Sequence, residues 1–263
     1  MVAIEKGLFM LIDTHAHLQW ANFDADRERV ISRARKVDVK YIVNIGFDLG
    51  GSREAVELAE KHRGLYATVG IHPHNASQLN QKLLRELRKL SENPKTVAIG
   101  EIGLDYYRNL SPREAQTKAF EAQLLLAEEL GLPAVIHDRE AHGDTLQMLS
   151  KFKGKIEGIM HCFSGSKEMA GQCIDSDFYI SLAGPVTFPN SHKLHEIAKC
   201  TALNKILLET DSPWLAPQEV RGKRNEPSFL PFIAKKIAAL KGISVDELAE
   251  ATSENAKRIF QLP

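Results

Sequence analysis

Cysteine is scarce: Cys162, Cys173 and Cys200 are the only thiols in 263 residues, an odd number without C-x-x-C spacing. That argues against a disulfide framework and fits a reducing cytoplasm. Cys162, beside His161, reads as core rather than nucleophile. No apolar run approaches the roughly 20 residues of a membrane span, and the head Met1 to Gly7 carries no signal-peptide pattern, so a cytoplasmic, non-membrane protein is expected. Excess charge is missing too, with 34 basic residues against 34 acidic ones. A polyanion would have to be gripped by a local basic patch or by bound metal. There is no G-x-G-x-x-G, Walker loop, low-complexity segment, charged tail or convincing linker. One domain spanning residues 1–263 is expected, with no obligate protein partner evident.

Hydrophobic residues make up 43% and charged residues 26% of the chain, an ordinary globular balance with ample apolar material for a core. Near the start, Leu8 to Ile12 form an apolar run that leads into Ile12-Asp13-Thr14-His15-Ala16-His17. Positions two apart on a strand share a face, so His15 and His17 lie about 6.5 Å apart on one side, close enough for both rings to meet one ion. Asp13 shares that face. An H-x-H pair alone reads equally well as histidines capping or hydrogen-bonding at a strand end, so it needs partners from elsewhere.

The rest of the chain repeats one pattern. Apolar, β-rich stretches at Tyr41–Gly46, Leu65–Ile71, Thr96–Ile99, Ala134–Ile136, Ile156–Met160, Phe178–Leu182 and Ile206–Leu208 alternate with helical patterns, giving eight strands with the first. The helices are expected over Arg27–Val37, capped by Asp24 or Asp26, over Ser52–His62, from Ser77 to Asn93, after Ser111, and over Pro227–Leu240 and Ser244–Phe260. Ser111 with Pro112 and Glu114, and Ser244 with Glu247, have capping-box spacing. Strand ends at 17, 45, 72 and 101 recur at near-even intervals. The alternation predicts an α/β fold, a single (β/α)8 TIM barrel, with a doubly wound open sheet as the rival.

In such a barrel the reactive groups sit where strands end. His15 and His17 end strand one, Glu101 strand four, His137 strand five, His161 strand six and Asp211 strand eight. Each alone reads as readily as a cap or a backbone contact, but all six converge on one rim. Four imidazoles and two carboxylates overfill one tetrahedral site and suit two adjacent ions that share a carboxylate. Glu101, central in strand order, is the natural bridge. Such a pair activates water and stabilises both the entering and the leaving oxygen of an in-line displacement, so hydrolysis is the expected chemistry. Glu101 and Asp211 are the expected catalytic residues. Asp211 would coordinate and orient the water or accept its proton, and Asp13 would support the ligands by hydrogen bonding.

The motifs I12-D-T-H-A-H, G70-I-H-P-H, G100-E-I-G-L-D-Y, I136-H-D-R, M160-H-C-F-S-G, L208-E-T-D-S-P-W-L-A-P, R221-G-K-R-N-E-P and N255-A-K-R-I-F, in this order, resemble the TatD family of metal-dependent deoxyribonucleases, within the amidohydrolase-like barrels. The resemblance runs from strand one to the last helix. It implies a TIM barrel with His15, His17, Glu101 and Asp211 on one divalent ion and Glu101, His137 and His161 on the other. The implied activity is hydrolysis of DNA phosphodiesters, as a 3′-to-5′ exonuclease on single strands. Strand four offers a glutamate rather than a lysine that could be carboxylated, which steers away from the hydantoinase and phosphotriesterase groups.

Substrate contacts are expected from Arg221, Lys223 and Arg224, a basic loop at the rim, and from Arg139 after His137. A solvated loop is the other reading. His72 is expected to touch substrate or support a ligand, or else to stabilise a turn with His74. Tyr106, Tyr107, Phe163 and Trp214 would stack a base or simply pack. The same metal pair would also serve ester or amide hydrolysis on a lactone, a cyclic amide or an aminoacyl-tRNA. A non-catalytic barrel that keeps metal for stability is the third possibility. The mixed nitrogen and oxygen ligands permit zinc, manganese, nickel or iron; magnesium is less comfortable with four histidines, though the family's nucleases are associated with it.

Overall fold

A computed structural model describes residues 10–263; the Leu8-Phe9 end of the first apolar run lies outside the described residues. All eight expected strands form: β1 (Leu11–Ala16), β2 (Val39–Asn44), β3 (Leu65–Val69), β4 (Thr96–Asp105), β5 (Ala134–Arg139), β6 (Gly158–Met160), β7 (Phe178–Leu182) and β8 (Ile206–Leu208). They pair in parallel in sequence order from β1 to β8. The Ala16–Ser212 bridge joins the two ends of the sheet, helped by hydrogen bonds from Asp211 N to His15 O at 2.8 Å and from His17 N to Ser212 O at 2.8 Å. The result is a (β/α)8 barrel of the TIM type, as the alternation predicts.

The helices are α1 (Arg27–Lys36), α2 (Leu49–Lys61), α3 (Gln81–Ser91), α4 (Arg113–Leu130), α5 (His142–Ser150), α6 (Lys167–Ile174), α7 (His192–Cys200), α8 (Leu230–Lys241) and α9 (Val245–Phe260). Side-chain caps start several of them: Asp48 accepts from Gly51 N, Asn80 from Lys82 N and Leu83 N, and Ser166 from Met169 N. Ser244 accepts from Glu247 N, which realises the donor half of the box expected there.

Two expected caps go elsewhere. Ser111 does not cap α4, whose N-cap is Pro112; its hydroxyl donates to His74 O at 2.9 Å and accepts from Ser77 N at 3.2 Å, tying down the short helical turn Pro73–Gln78. Asp26 stands at the N-cap of α1 but makes no capping bond, because two arginines hold its carboxylate.

Successive strand residues alternate between two apolar clusters, the period-two consequence of a strand buried on both faces. Leu11, Ile42, Leu65, Ile136 and Ile206 pack with the surrounding helices. Ile12, Val43, Val135, Ile159, Tyr179 and Leu207 meet Ala256, Ile259 and Phe260 of α9, which packs across the ends of the barrel remote from the His15/His17 rim. Most of the polar residues of the strands, the candidate ligands among them, lie toward the opposite ends.

Candidate metal centre

His15, His17, Glu101, His137, His161 and Asp211 converge, and Glu101 lies between them. Its Oε2 faces His15 Nε2 at 3.5 Å and His17 Nε2 at 3.8 Å. Asp211 Oδ1 stands 3.7 Å from each of the same two nitrogens, which are themselves 3.2 Å apart. A tetrahedral ion with ligands at about 2.0–2.1 Å sets neighbouring ligand atoms roughly 3.3 Å apart, so His15, His17 and Asp211 already have close to the spacing of a cation's donor set, and Glu101 Oε2 faces both histidines. Glu101 Oε1 turns the other way, to His137 Nδ1 at 2.8 Å, His161 Nε2 at 3.2 Å and His72 Nε2 at 3.5 Å. One carboxylate therefore addresses two clusters.

Close backbone packing makes this possible. A Cβ on Gly103 would lie 2.0 Å from His137 O, and its φ of 138° falls in the left-handed half of backbone space. Glycine here lets β4 press against β5, which sets Glu101 beside His137.

Hydrogen bonds on the far side of each ring sort the histidines by tautomer. His161 Nδ1 faces Glu209 Oε1 at 2.9 Å, which puts its proton there and leaves Nε2 free to ligate. His137 Nε2 faces Asp105 Oδ2 at 3.2 Å, leaving Nδ1 toward Glu101. His72 is the reverse case: its Nδ1 accepts from His74 N at 3.1 Å, so the neutral ring carries its proton on Nε2. His72 therefore offers a donor to the second cluster rather than a lone pair.

Burial pushes His72 down to about 4 against the pull of Glu101, and it holds His15 and His17 below the usual imidazole range, so these rings are neutral. Burial also opposes ionisation of Glu101, but the facing His161 and His72 and the hydrogen bonds from His137 and His15 outweigh it and keep the carboxyl well below its ordinary range. Burial works against the charged forms of His161 and His137 as well. Glu209 and Glu101 nevertheless raise His161, and Asp105 and Glu101 raise His137. Buried carboxylates that favour positive charge on the facing rings would favour a divalent cation between them likewise. The buried Nδ1 atoms of His15 and His17 have no hydrogen-bond partner among the described residues, so what fixes these rings is what their Nε2 atoms face. The donor set thus fits divalent metal.

The loop after β8 that carries Asp211 is pinned from several sides. Asp13 accepts from Thr210 N at 2.9 Å and Thr210 Oγ1 at 2.6 Å, so it braces this loop rather than a histidine ring. Burial raises its carboxyl to about 7 despite those bonds. Asn225 Nδ2 donates to Thr210 O at 2.8 Å and Trp214 O at 2.6 Å. Asp211 itself takes a positive φ of 54°, a conformation that needs such support in a residue other than glycine.

Of the residues expected to grip substrate, Arg139 is exposed at the end of β5, and Arg221 and Lys223 are exposed on the loop after β8. Arg224 departs from the expectation. Its guanidinium makes two 2.8 Å bonds to Asp26 and a third to Asn22 O, over the Phe23 ring, so its donors fasten the β8 loop to α1. His74 is held by Asp105 at 2.8 Å. Phe163 is buried and packs, whereas Tyr107 and Trp214 are exposed.

Sequence reasoning passed over Asp105, Glu209 and Asn225. The first two lie at two-residue intervals from expected ligands, Glu101 to Gly103 to Asp105 and Glu209 to Asp211, the same alternation that singled out His15 and His17. Asn225 had no local signal beyond its place in the R221-G-K-R-N-E-P motif.

The family model for TatD related DNase matches residues 12–261. The chain is 44% identical over 254 residues to the metal-dependent hydrolase YabD of Bacillus subtilis, covering 96% of this chain and 100% of that protein. It is 38% identical over 259 residues to the 3′-5′ ssDNA/RNA exonuclease TatD of Erwinia tasmaniensis, again covering 96% and 100%. Its fold superposes on YjjV, a TatD homologue from Escherichia coli K12, with a TM-score of 0.91 at 29% identity, covering 96% of this chain and 98% of that one.

Proposed function

We propose, from the premise that this chain belongs to the TatD-related DNase family and is a metal-dependent hydrolase, that it removes nucleotides from the 3′ end of single-stranded DNA with two divalent ions per chain. The observation that carries the reading is the division of Glu101, whose Oε2 serves the His15/His17/Asp211 cluster while its Oε1 serves His137 and His161. His15, His17, Glu101 and Asp211 would hold one ion, and Glu101, His137 and His161 the other. When bound, the ions supply the positive charge that activates water and stabilises the entering and leaving oxygens of a phosphodiester displacement.

The chain's own residues do the remaining work. Asp211 presents Oδ1 to the paired histidines and takes the proton of the attacking water on its other oxygen. His72, with its proton on Nε2, donates a hydrogen bond to a non-bridging phosphate oxygen. Asp105 and Glu209 keep His137 and His161 in the tautomers that ligation needs. Arg139, Arg221 and Lys223 draw the phosphate backbone to a rim on a protein with no net charge. All three cysteines are free, and among the described residues no helix is long and apolar enough to cross a membrane. Both facts support a cytoplasmic site of action.

The test is a 5′-labelled single-stranded oligonucleotide incubated with purified protein across magnesium, manganese, zinc, nickel and iron. A ladder shortened one nucleotide at a time from the 3′ end is expected. Intact substrate with every metal, or products cut internally, would overturn the proposal.

A further inference from the structure

Large apolar side chains exposed to water are few, and they are not evenly spread. Among the described residues they are Tyr107, Leu110, Leu125, Trp214 and Leu215, and all but Leu125 lie on the loops that follow β4 and β8. Exposed apolar surface gathered beside a candidate site marks a contact surface.

Trp214 is the best built of the group. The residue is 43% exposed, yet it is not loose. It packs T-shaped with the His17 ring at 5.1 Å and with Trp20 at 5.3 Å between ring centres, and Trp20 tilts against Phe47 at 5.0 Å. The backbone beneath is fixed by Trp214 N donating to Asp211 O at 3.0 Å and by Asn225 Nδ2 donating to Trp214 O at 2.6 Å. An indole held in place by its neighbours yet partly exposed to solvent, against a histidine of the candidate metal cluster, costs little order to bind a second aromatic plane.

We infer that Trp214 is a stacking platform for the nucleobase of the nucleotide whose phosphate lies at the His15/His17/Asp211 cluster. This rests on the function proposed above and gives it a source of strand selectivity. A base can lie on the indole only when it is free of its partner, so a duplex end must fray before it enters, and the platform accepts any base because each has a π-face.

The chain holds two tryptophans, Trp20 and Trp214, so a Trp20→Phe variant leaves Trp214 as the sole indole emitter. With metal present, titrating that variant with an oligothymidylate of phosphorothioate linkages should quench its emission, and a tetramer of abasic deoxyribose phosphates should not. In steady-state assays Trp214→Ala should raise KM for oligothymidylate about 5- to 150-fold, the range of one base–aromatic stack, and Trp214→Phe should recover most of the loss. Removing the base from the terminal nucleotide and removing the indole should give overlapping losses, the double change being no worse than the larger single one.

Additive losses would show that Trp214 only props His17, and equal quenching by the abasic tetramer would show that no base lies on the ring. Either result overturns the platform while leaving the nuclease standing. If the unsubstituted protein cleaves no oligonucleotide, the function itself falls and the platform with it.

Discussion

Glu209 offers the sharpest test of how the second cluster is held. It is fully buried, and its carboxylate accepts three hydrogen bonds, from His161 Nδ1 at 2.9 Å, Cys162 N at 2.8 Å and Ser181 Oγ at 2.6 Å. Glu209→Gln keeps the volume but loses the charge. Its amide oxygen can still face His161 and Cys162 while its NH2 group turns to Ser181, whose hydroxyl can reverse and accept. The fold should therefore survive. What is lost is the anion behind the imidazole that makes Nε2 a strong ligand. Partners of this kind are worth about 10- to 100-fold in metal affinity, or roughly 1.4–2.7 kcal/mol. Hydrolysis of single-stranded DNA measured against manganese concentration should show half-activation displaced upward by that factor, with the saturated rate returning to within a few-fold of the parent. A half-activation point that does not move would refute the role assigned to Glu209. So would a rate that no metal concentration restores, since Glu209 would then act on the substrate itself.

The shared carboxylate should behave differently. Glu101→Ala should lower the rate by about 10²–10³-fold or more and stay low at saturating metal with an unchanged circular dichroism spectrum; recovery with metal would remove its bridging role. Raising a divalent ion to about 100 times its dissociation constant should stabilise the protein by about 2.7 kcal/mol, a rise in Tm of roughly 5–10 °C; identical melting with chelator and with manganese would argue against a cation site in the native fold. Arg224→Ala should cost about 1–2 kcal/mol by leaving Asp26 with only Arg33, read as a lower urea midpoint. The same pair sets an acid limit. The hydrogen bonds from Arg224 outweigh burial and hold Asp26 down at about 2, below its ordinary 3.8. Its stabilisation is therefore complete above about pH 4 and fades as pH falls toward 2, so the variant's deficit relative to the parent should be full above about pH 4 and shrink toward pH 2; a deficit that does not change with pH would show that the ion pair is not its source.

The barrel was legible because its signals are local. Apolar runs such as Tyr41-Ile42-Val43 alternate with capped helices at near-even intervals, and the candidate ligands fall toward the C-terminal ends of the strands or just past them. The convergence of His15, His17, Glu101, His137, His161 and Asp211 followed from that alternation and the closure of one barrel. Side-chain partnerships were less legible, since they depend on residues far away in sequence. Arg224 looked like a phosphate clamp until Asp26, across 198 positions, took both its terminal nitrogens. Ser111 had the spacing of a cap, yet the His74 carbonyl competed for its hydroxyl. Tautomers are least legible of all: His72 and His137 look alike in sequence, and only a backbone N–H on one and a carboxylate on the other assign them opposite tasks.

The seam between β1 and β8 has a temporal meaning. Asp13 grips Thr210 across 197 positions, and the cluster of His15, His17 and Asp211 exists only once that grip has formed. A chain still emerging from the ribosome, or one clipped anywhere that keeps its first and last strands apart, has no place to gather the ions. A hydrolase whose candidate ligands come from both ends of its chain brings them together only when its fold is complete.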